Sequence, residues 1–413
     1  MSARTFVSIT DHGAVGDGKT DNRAAIQKAI DEAKAEGLAV HVPEGVFLHK
    51  GTLKIDGVDI AGAGAGSVLK AVGGEHQALM LGGKGASLTN LTLDSDATAR
   101  GHSGVAAKVL VKGATDFAIE NVAIKNSFGA GILVQNSNQG RIVGNDVSGT
   151  NADSIHMTHG SHHILVQGNR VVNAGDDGIA VVSYRSAKSP VHDITIKGNT
   201  VVDNVWGRGI TTVGGEHIDI VHNTVDGNKA GLAGIYIASE PNYDTYGVKD
   251  VRVFGNLVTD TGGTKSGHAG IMVYNKSSQV TDDVVVQGNV VLDSAKNGIL
   301  VLGHGVRGAE VSYNVVKGSG EADVTTAGGP KGVSIVGNHQ GPYGLVGAEA
   351  AAAPKQASAA VFDFGQAPAP AADAYAEAAP APVVAEVFPQ TVELAGVPDW
   401  SAVFGPGGSI EYL

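Results

Sequence analysis

Two stretches decide the fold: ILVQGNRV, Ile164–Val171, and ITIKGNTV, Ile194–Val201. Each alternates apolar and polar residues, breaks at Gly-Asn and resumes on valine, which is the period of a β-strand followed by a turn signal. The pattern recurs as GRIVGNDV, IDIVHNTV, VRVFGNLV, VVVQGNVV and AEVSYNVV, placing asparagines at Asn145, Asn169, Asn199, Asn223, Asn256, Asn289 and Asn314. The steps are 24, 30, 24, 33, 33 and 25 residues. A second pattern falls between them: GILV, SIHM, GIAV, GITT, GIYI, GIMV and GILV. Each period therefore holds about three short strands and no helix. A repeat of that length and content predicts an all-β solenoid, a single-stranded right-handed parallel β-helix.

Stacked coils bring equivalent residues together. Ile132, Ile155, Ile179, Ile210, Ile235, Ile271 and Ile299 are expected to form one internal ladder, and the asparagines a second, with amides bonded from turn to turn. The open end of a solenoid needs a cap. Thr20–Gly37 reads as an amphipathic helix with Ala25, Ile26, Ala29, Ile30 and Ala33 on one face and Gly37 as its stop. The expected organisation is a capped β-helix over residues 1–346, an Ala/Pro-rich linker or extended arm over 347–386, and an apolar docking segment over 387–413. That last segment is expected to pack on its own β-helix or on a second copy, a route to a homo-oligomer.

Composition narrows the function. A net charge of −12 argues against nucleic acid or an anionic membrane as partner. No apolar run approaches the ~20 residues of a membrane span. There is no cysteine, so thiolate and disulfide chemistry are excluded. MSARTFVSIT lacks the apolar core of a secretory signal, so the extracellular or cell-surface location expected below implies another export route or a processed chain.

The strand alternation also places the candidate chemistry. With the isoleucines inward, Leu133, His156, Ala180, Thr211, Tyr236, Met272 and Leu300 face outward. Two residues before each isoleucine stand Ala130, Asp153, Asp177, Arg208, Ala233, Ala269 and Asn297. Coils stack about 4.8 Å apart, so Asp153, Asp177 and Arg208 become neighbours in a patch about 10 Å tall, with Asp176 beside them. Asp-Asp-Gly alone is a turn signal. In register with Asp153 and Arg208 it is also a cluster in which at least one carboxyl holds its proton to higher pH, as acid/base catalysis requires. The tract HMTHGSHH holds His156, His159, His162 and His163, the look of a metal tract. Alternation sends only His156 to the aspartate face, so a sugar contact is expected there rather than a metal. The insertions Ser183–Asp193 and Ser239–Asp250 follow first strands and would wall a cleft, offering Tyr184, Arg185, Tyr236, Tyr243, Tyr246 and Tyr274 to sugars.

The segments TDHGAVGDGKTDNRAAIQKAIDEA, VPEGVF and AGAGAGSVL resemble the N-terminal end of the pectin-lyase-like β-helix superfamily, which includes polygalacturonases, polysaccharide lyases, mannuronan epimerases and phage tailspikes. NADSI and GDDGIAV further resemble two motifs of polygalacturonases and related inverting hydrolases. That resemblance implies Asp176 as general acid, Asp153 with Asp177 as the water-activating pair, and a polysaccharide substrate without a cofactor. Arg208 stands where that family places a histidine, and the family's Arg-Ile-Lys motif would fall on Tyr236, Ile237 and Ala238, where it is absent. The N-terminal region is also similar to mannuronan epimerases, whose Tyr-Gly-Phe-Asp-Pro-His motif would fall on Phe128–Leu133; its tyrosine, aspartate and histidine are missing. Two alternatives stay open: a calcium-dependent lyase with Arg208 as base, and a non-catalytic glycan-binding or tailspike-like protein.

Overall fold

The computed structural model describes residues 5–74, 78–101, 106–228, 231–263 and 266–340. The expectations for residues 347–386 and 387–413 lie outside the described residues.

One coil shows how the chain winds. Strand β1, Ile155–Thr158, is followed by β2, His162–Gln167, and β3, Arg170–Val172; the next coil repeats them as β4, Ile179–Val182, β5, His192–Lys197, and β6, Thr200–Asn204. Pairing is parallel and coil to coil: Ile155 lies over Ile179, Ile164 over Ile194, and Val171 over Val201. The following coil begins with β7, Ile210–Val213, and β8, Gly215–Val221, with Ile210 over Ile179. First and second strands join in one 24-stranded sheet and third strands in a 13-stranded sheet. This is the expected parallel β-helix.

Both ladders form. The isoleucines pair in register from Ile132 to Ile299, with Val109 and Val324 continuing the column at its two ends. All seven isoleucines are fully buried, each contributing roughly 1.5–3 kcal/mol of transfer free energy. The asparagine ladder has the same continuity. Asn199 Nδ2 donates to Asn223 Oδ1 at 2.9 Å, Asn223 Nδ2 to Asn256 Oδ1 at 3.0 Å, and the Asn199 and Asn223 backbone N–H groups donate to the same oxygens. Each amide also donates to a second-strand carbonyl one coil back, as Asn223 does to Ile196. Such a side chain satisfies turn groups that would otherwise be buried unpaired.

Helix α1, Arg23–Glu36, closes the N-terminal end with Ile26, Ala29, Ile30 and Ala33 buried and Ala25 packed against the core. Gly37 ends it in the left-handed conformation at φ 67°. Among the described residues no helix is long and apolar enough to cross a membrane.

The outward row departs from expectation. Ala180, Thr211, Tyr236, Met272 and Leu300 do point away from the coil interior, but all are buried. Ala180, Tyr236, Met272 and Leu300 join Val182, Val213, Ala233, Ala238 and Ala269 in a second apolar cluster outside the coil. Alternation tells which face a side chain takes. It does not tell whether loops then cover that face.

Candidate active site

The aspartates sit where a third strand turns into the next first strand. Backbone bonds fix the register: Ser154 N–H donates to the Asp177 carbonyl and Gly178 N–H to the Arg208 carbonyl. Asp153, Asp177 and Arg208 therefore stack on three consecutive coils. Gly207, at φ 72°, makes the upper turn possible, since a Cβ there would lie 2.3 Å from the Asp176 carbonyl carbon.

Carboxyl oxygens of Asp153, Asp176 and Asp177 all lie within 4.8 Å of one another. Each carboxylate has its own support. Asp153 Oδ1 accepts the Asp177 N–H at 2.9 Å, and its Oδ2 meets His156 Nδ1 at 2.7 Å. Asp177 Oδ1 accepts the Arg208 N–H at 2.6 Å. Asp176 Oδ2 accepts from Arg100 Nη1 at 3.0 Å. Arg208 in turn pairs with Glu240 and lies with its guanidinium carbon 4.5 Å from the Tyr236 ring centroid.

These contacts split the acidities. Burial works to raise Asp153, but the charge and hydrogen bond of His156, with Arg100 and the Asp177 N–H, hold its carboxyl below the usual carboxylate range. Burial and the Asp153 charge push Asp176 up to about 6, against the pull of Arg100 and Arg208. Burial likewise lifts Asp177 well above that range despite Arg208, with the two other aspartates adding to the rise. One carboxyl therefore ionises below the usual range while the other two hold their protons to higher pH than a free carboxyl. Of the three, Asp176 is the most accessible, its side chain 23% exposed against 13% for Asp153 and 7% for Asp177.

Arg208 is a poor base here. Burial disfavours its charge, but Asp177 and Glu240 outweigh that and hold its proton more firmly than in a free arginine. The donor set also does not fit calcium, which takes 6–8 oxygen ligands. Three carboxylates fall short of that number, and Arg100 and Arg208 already supply the positive charge an ion would bring.

The remaining sequence-derived residues divide. His156 reaches the cluster, but through Asp153, with its Nε2 buried and without a hydrogen-bond partner. Tyr236 is 3% exposed and stacks with His268 at 5.3 Å and Tyr274 at 6.2 Å, so it supports Arg208 rather than offering a face to sugar. Tyr274 is partly exposed beside it. Tyr184 and Arg185 belong to a different place. Arg185 Nη1 pairs with Asp244 at 2.9 Å and Tyr184 bridges to Thr245, tying the two insertions together at the exit end of the strands. Seven residues of chain, about 20 Å when extended, set Tyr184 off from Asp177, while Tyr243 lies three residues past Glu240, the partner of Arg208.

Sequence reasoning missed Arg100, Glu240, His268 and Trp206. None stands at a repeat position that would have marked it. Trp206 is two residues before Arg208, 55% exposed, on the turn that packs over Asp176.

With the geometry in place, comparison with known proteins gives the class. Residues 6–233, more than half of the chain, match the family described as rhamnogalacturonase A/epimerase, pectate lyase-like, and the chain belongs to that family. Among individual proteins, 80 residues are 42% identical to mannuronan C5-epimerase AlgE4 of Azotobacter vinelandii, a match covering 17% of this chain and 14% of that one. The fold is shared with the catalytic unit of a GH87 α-1,3-glucanase from Streptomyces thermodiastaticus (TM-score 0.62, 18% identity, 83% of this chain and 70% of that one). It is shared also with an exopolygalacturonase from Thermotoga maritima (TM-score 0.57, 14% identity, 81% of this chain and 92% of that one).

Proposed function

We propose that the protein is a glycoside hydrolase that cleaves a polysaccharide by acid/base catalysis. One observation carries the reading: a carboxyl oxygen of Asp153, whose acidity is strengthened, lies within 4.8 Å of one of Asp176, the most accessible of the three, whose pKa is displaced to about 6. Asp176 protonates the glycosidic oxygen as the bond breaks. Asp153, kept ionised by His156, takes the proton of the attacking water, and Asp177, anchored by the Arg208 N–H, fixes the water's position. Arg208 orients Asp177 and is itself held by Glu240 and the Tyr236 face. The polysaccharide-active relatives and the resemblance of NADSI and GDDGIAV to hydrolase motifs support this reading. The poor basicity of Arg208 and the misfit with calcium count against the lyase.

Inversion is what the polygalacturonase resemblance implies, and direct attack by a water that Asp153 activates is the inverting scheme. The test is a panel of polysaccharides with and without chelator. Chelator-insensitive release of reducing ends without an ultraviolet-absorbing unsaturated uronate supports hydrolysis, and proton NMR of the first-formed anomer assigns the stereochemistry. An unsaturated product would establish the lyase, and retention of glycan without cleavage the binding protein. Polysaccharide as substrate is most consistent with an extracellular or cell-surface site of action, which fractionation of the producing cells checks.

A further inference from the structure

The histidine tract that looked like one cluster in sequence is divided by the fold. His156 goes to Asp153, while His162 and His163 open β2 and meet residues of the next two coils. There the Asp193 carboxylate collects three imidazoles. His192 Nδ1 lies 2.6 Å and His163 Nδ1 3.8 Å from Asp193 Oδ2, and His217 Nδ1 lies 3.5 Å from Asp193 Oδ1. His163, Asp193 and His217 stand at the same coil position, each at φ 53°, so successive coils aim them at one column. Donor atoms of His163, His192 and Asp193 all fall within 4.8 Å of one another. A fourth ring, His162, packs at 4.6 Å on His192 and has a buried Nδ1 with no protein partner.

Hydrogen bonding accounts for only part of this. The 3.5 and 3.8 Å contacts exceed ordinary N–H···O lengths. They are close to the edge of a tetrahedron around a zinc ion, about 3.4 Å for bonds of about 2.0–2.1 Å, whereas the 2.6 Å His192–Asp193 contact is a hydrogen bond that an ion taking both residues would replace. Imidazole nitrogens with one carboxylate are also the donors that borderline ions such as zinc prefer over calcium or magnesium.

We propose that His163, His192, Asp193 and His217 form a binding site for a divalent transition-metal ion, with zinc the best match. The ion bridges three successive coils. It also fixes the root of the Ser183–Val191 segment, whose last residue precedes His192, and so the Tyr184 and Arg185 insertion it carries. The site lies beyond the exit end of the first strands, away from the aspartates, so it acts on the scaffold rather than on the reaction.

Isothermal titration of zinc chloride into untagged, chelator-dialysed full-length protein tests this. The expected result is one saturable site, a higher melting temperature with zinc, and intense visible bands of four-coordinate cobalt when cobalt replaces zinc. Asp193→Ala and the pair His163→Gln/His217→Gln should each weaken zinc at least ~10-fold and remove the melting-temperature gain, with circular dichroism confirming that the coils remain. Asp176→Asn should bind zinc as the parent does. Absence of a saturable site, binding that survives the His163→Gln/His217→Gln pair, or binding lost only in Asp176→Asn would each overturn the proposal; the last would place the ion among the catalytic carboxylates.

Discussion

Replacing Asp176 by asparagine separates catalysis from turn formation, because the two readings predict opposite signs for stability. In the folded protein Asp176 titrates at about 6 against a reference of 3.8. A carboxyl whose folded pKa is raised binds an extra proton in the folded state between those two values. Stability is therefore lost as pH rises through that window, and the full penalty is present above about 6. Roughly two units correspond to ~3 kcal/mol at ~1.36 kcal/mol per unit. The side chain is 23% exposed, so solvent screening brings this to roughly 1–2 kcal/mol. Asparagine is neutral at every pH and removes that penalty, which is already net of the pull of Arg100. Near neutral pH, Asp176→Asn should be as stable as the parent or up to ~2 kcal/mol more stable. Its turnover should fall ~10²–10⁴-fold, the contribution of a general acid.

The assay is urea unfolding at pH 5 and 7 beside initial rates of reducing-end release. The parent should lose stability from the lower to the higher pH relative to the variant. Its rate should fall as pH rises through about 6, where Asp176 gives up its proton, and fall again below the lowered pKa of Asp153. A variant that is destabilised by more than ~1 kcal/mol but keeps its turnover per folded molecule would refute the argument and return Asp176-Asp177 to the status of a turn.

Other outcomes follow from the same geometry. Arg100→Gln removes the guanidinium on Asp176, so the alkaline limb of the rate profile should move upward by on the order of one unit; a limb that stays put would detach Asp176 from it. Arg208→Lys should keep partial turnover, because the ammonium retains charge beside Asp177 but not the fork that also reaches Glu240; a dead lysine variant with calcium-dependent activity in the parent would favour a lyase. Trp206→Ala should raise KM about 2–10-fold, the worth of one aromatic contact at ~0.5–1.5 kcal/mol, with kcat and melting temperature unchanged. Asn223→Ala should cost roughly 4 kcal/mol in denaturant unfolding, since four hydrogen bonds of about 1 kcal/mol each meet at that amide and a partner N–H is left unpaired; a loss under ~1 kcal/mol would mean that water replaces the ladder.

The parts of this protein that read clearly from sequence are those the solenoid repeats. Ile179 and Asn199 are constrained by neighbours of the same kind above and below, so each coil restates the evidence for the last. Register then carried Asp153, Asp177 and Arg208 to one patch with no further information. What escaped came from residues outside the repeat. Arg100 reaches Asp176 across 76 positions and Glu240 reaches Arg208 across 32 from the end of a strand, where no periodicity marks either. For a related reason the sequence points Tyr236 at sugar where the structure buries it. A period of two assigns Tyr236 to the outer face, but His268 and Tyr274 enclose it there, and the second apolar cluster covers that face.

The same column of the solenoid bears on why the charges are there at all. Ala130, Ala233 and Ala269 occupy the position of Asp153, Asp177 and Arg208 on other coils, and they make the same turn while buried. Their backbones form equivalent bonds: Lys108 N–H donates to the Ala130 carbonyl and Gly209 N–H to that of Ala233, as Ser154 and Gly178 do to Asp177 and Arg208. The scaffold thus closes this corner without a charged side chain. Placing three carboxyls and a guanidinium on consecutive coils costs desolvation and repulsion that alanine avoids. Folding does not require that cost, and the acidities the cluster separates are those that the proposed cleavage of a glycosidic bond would use.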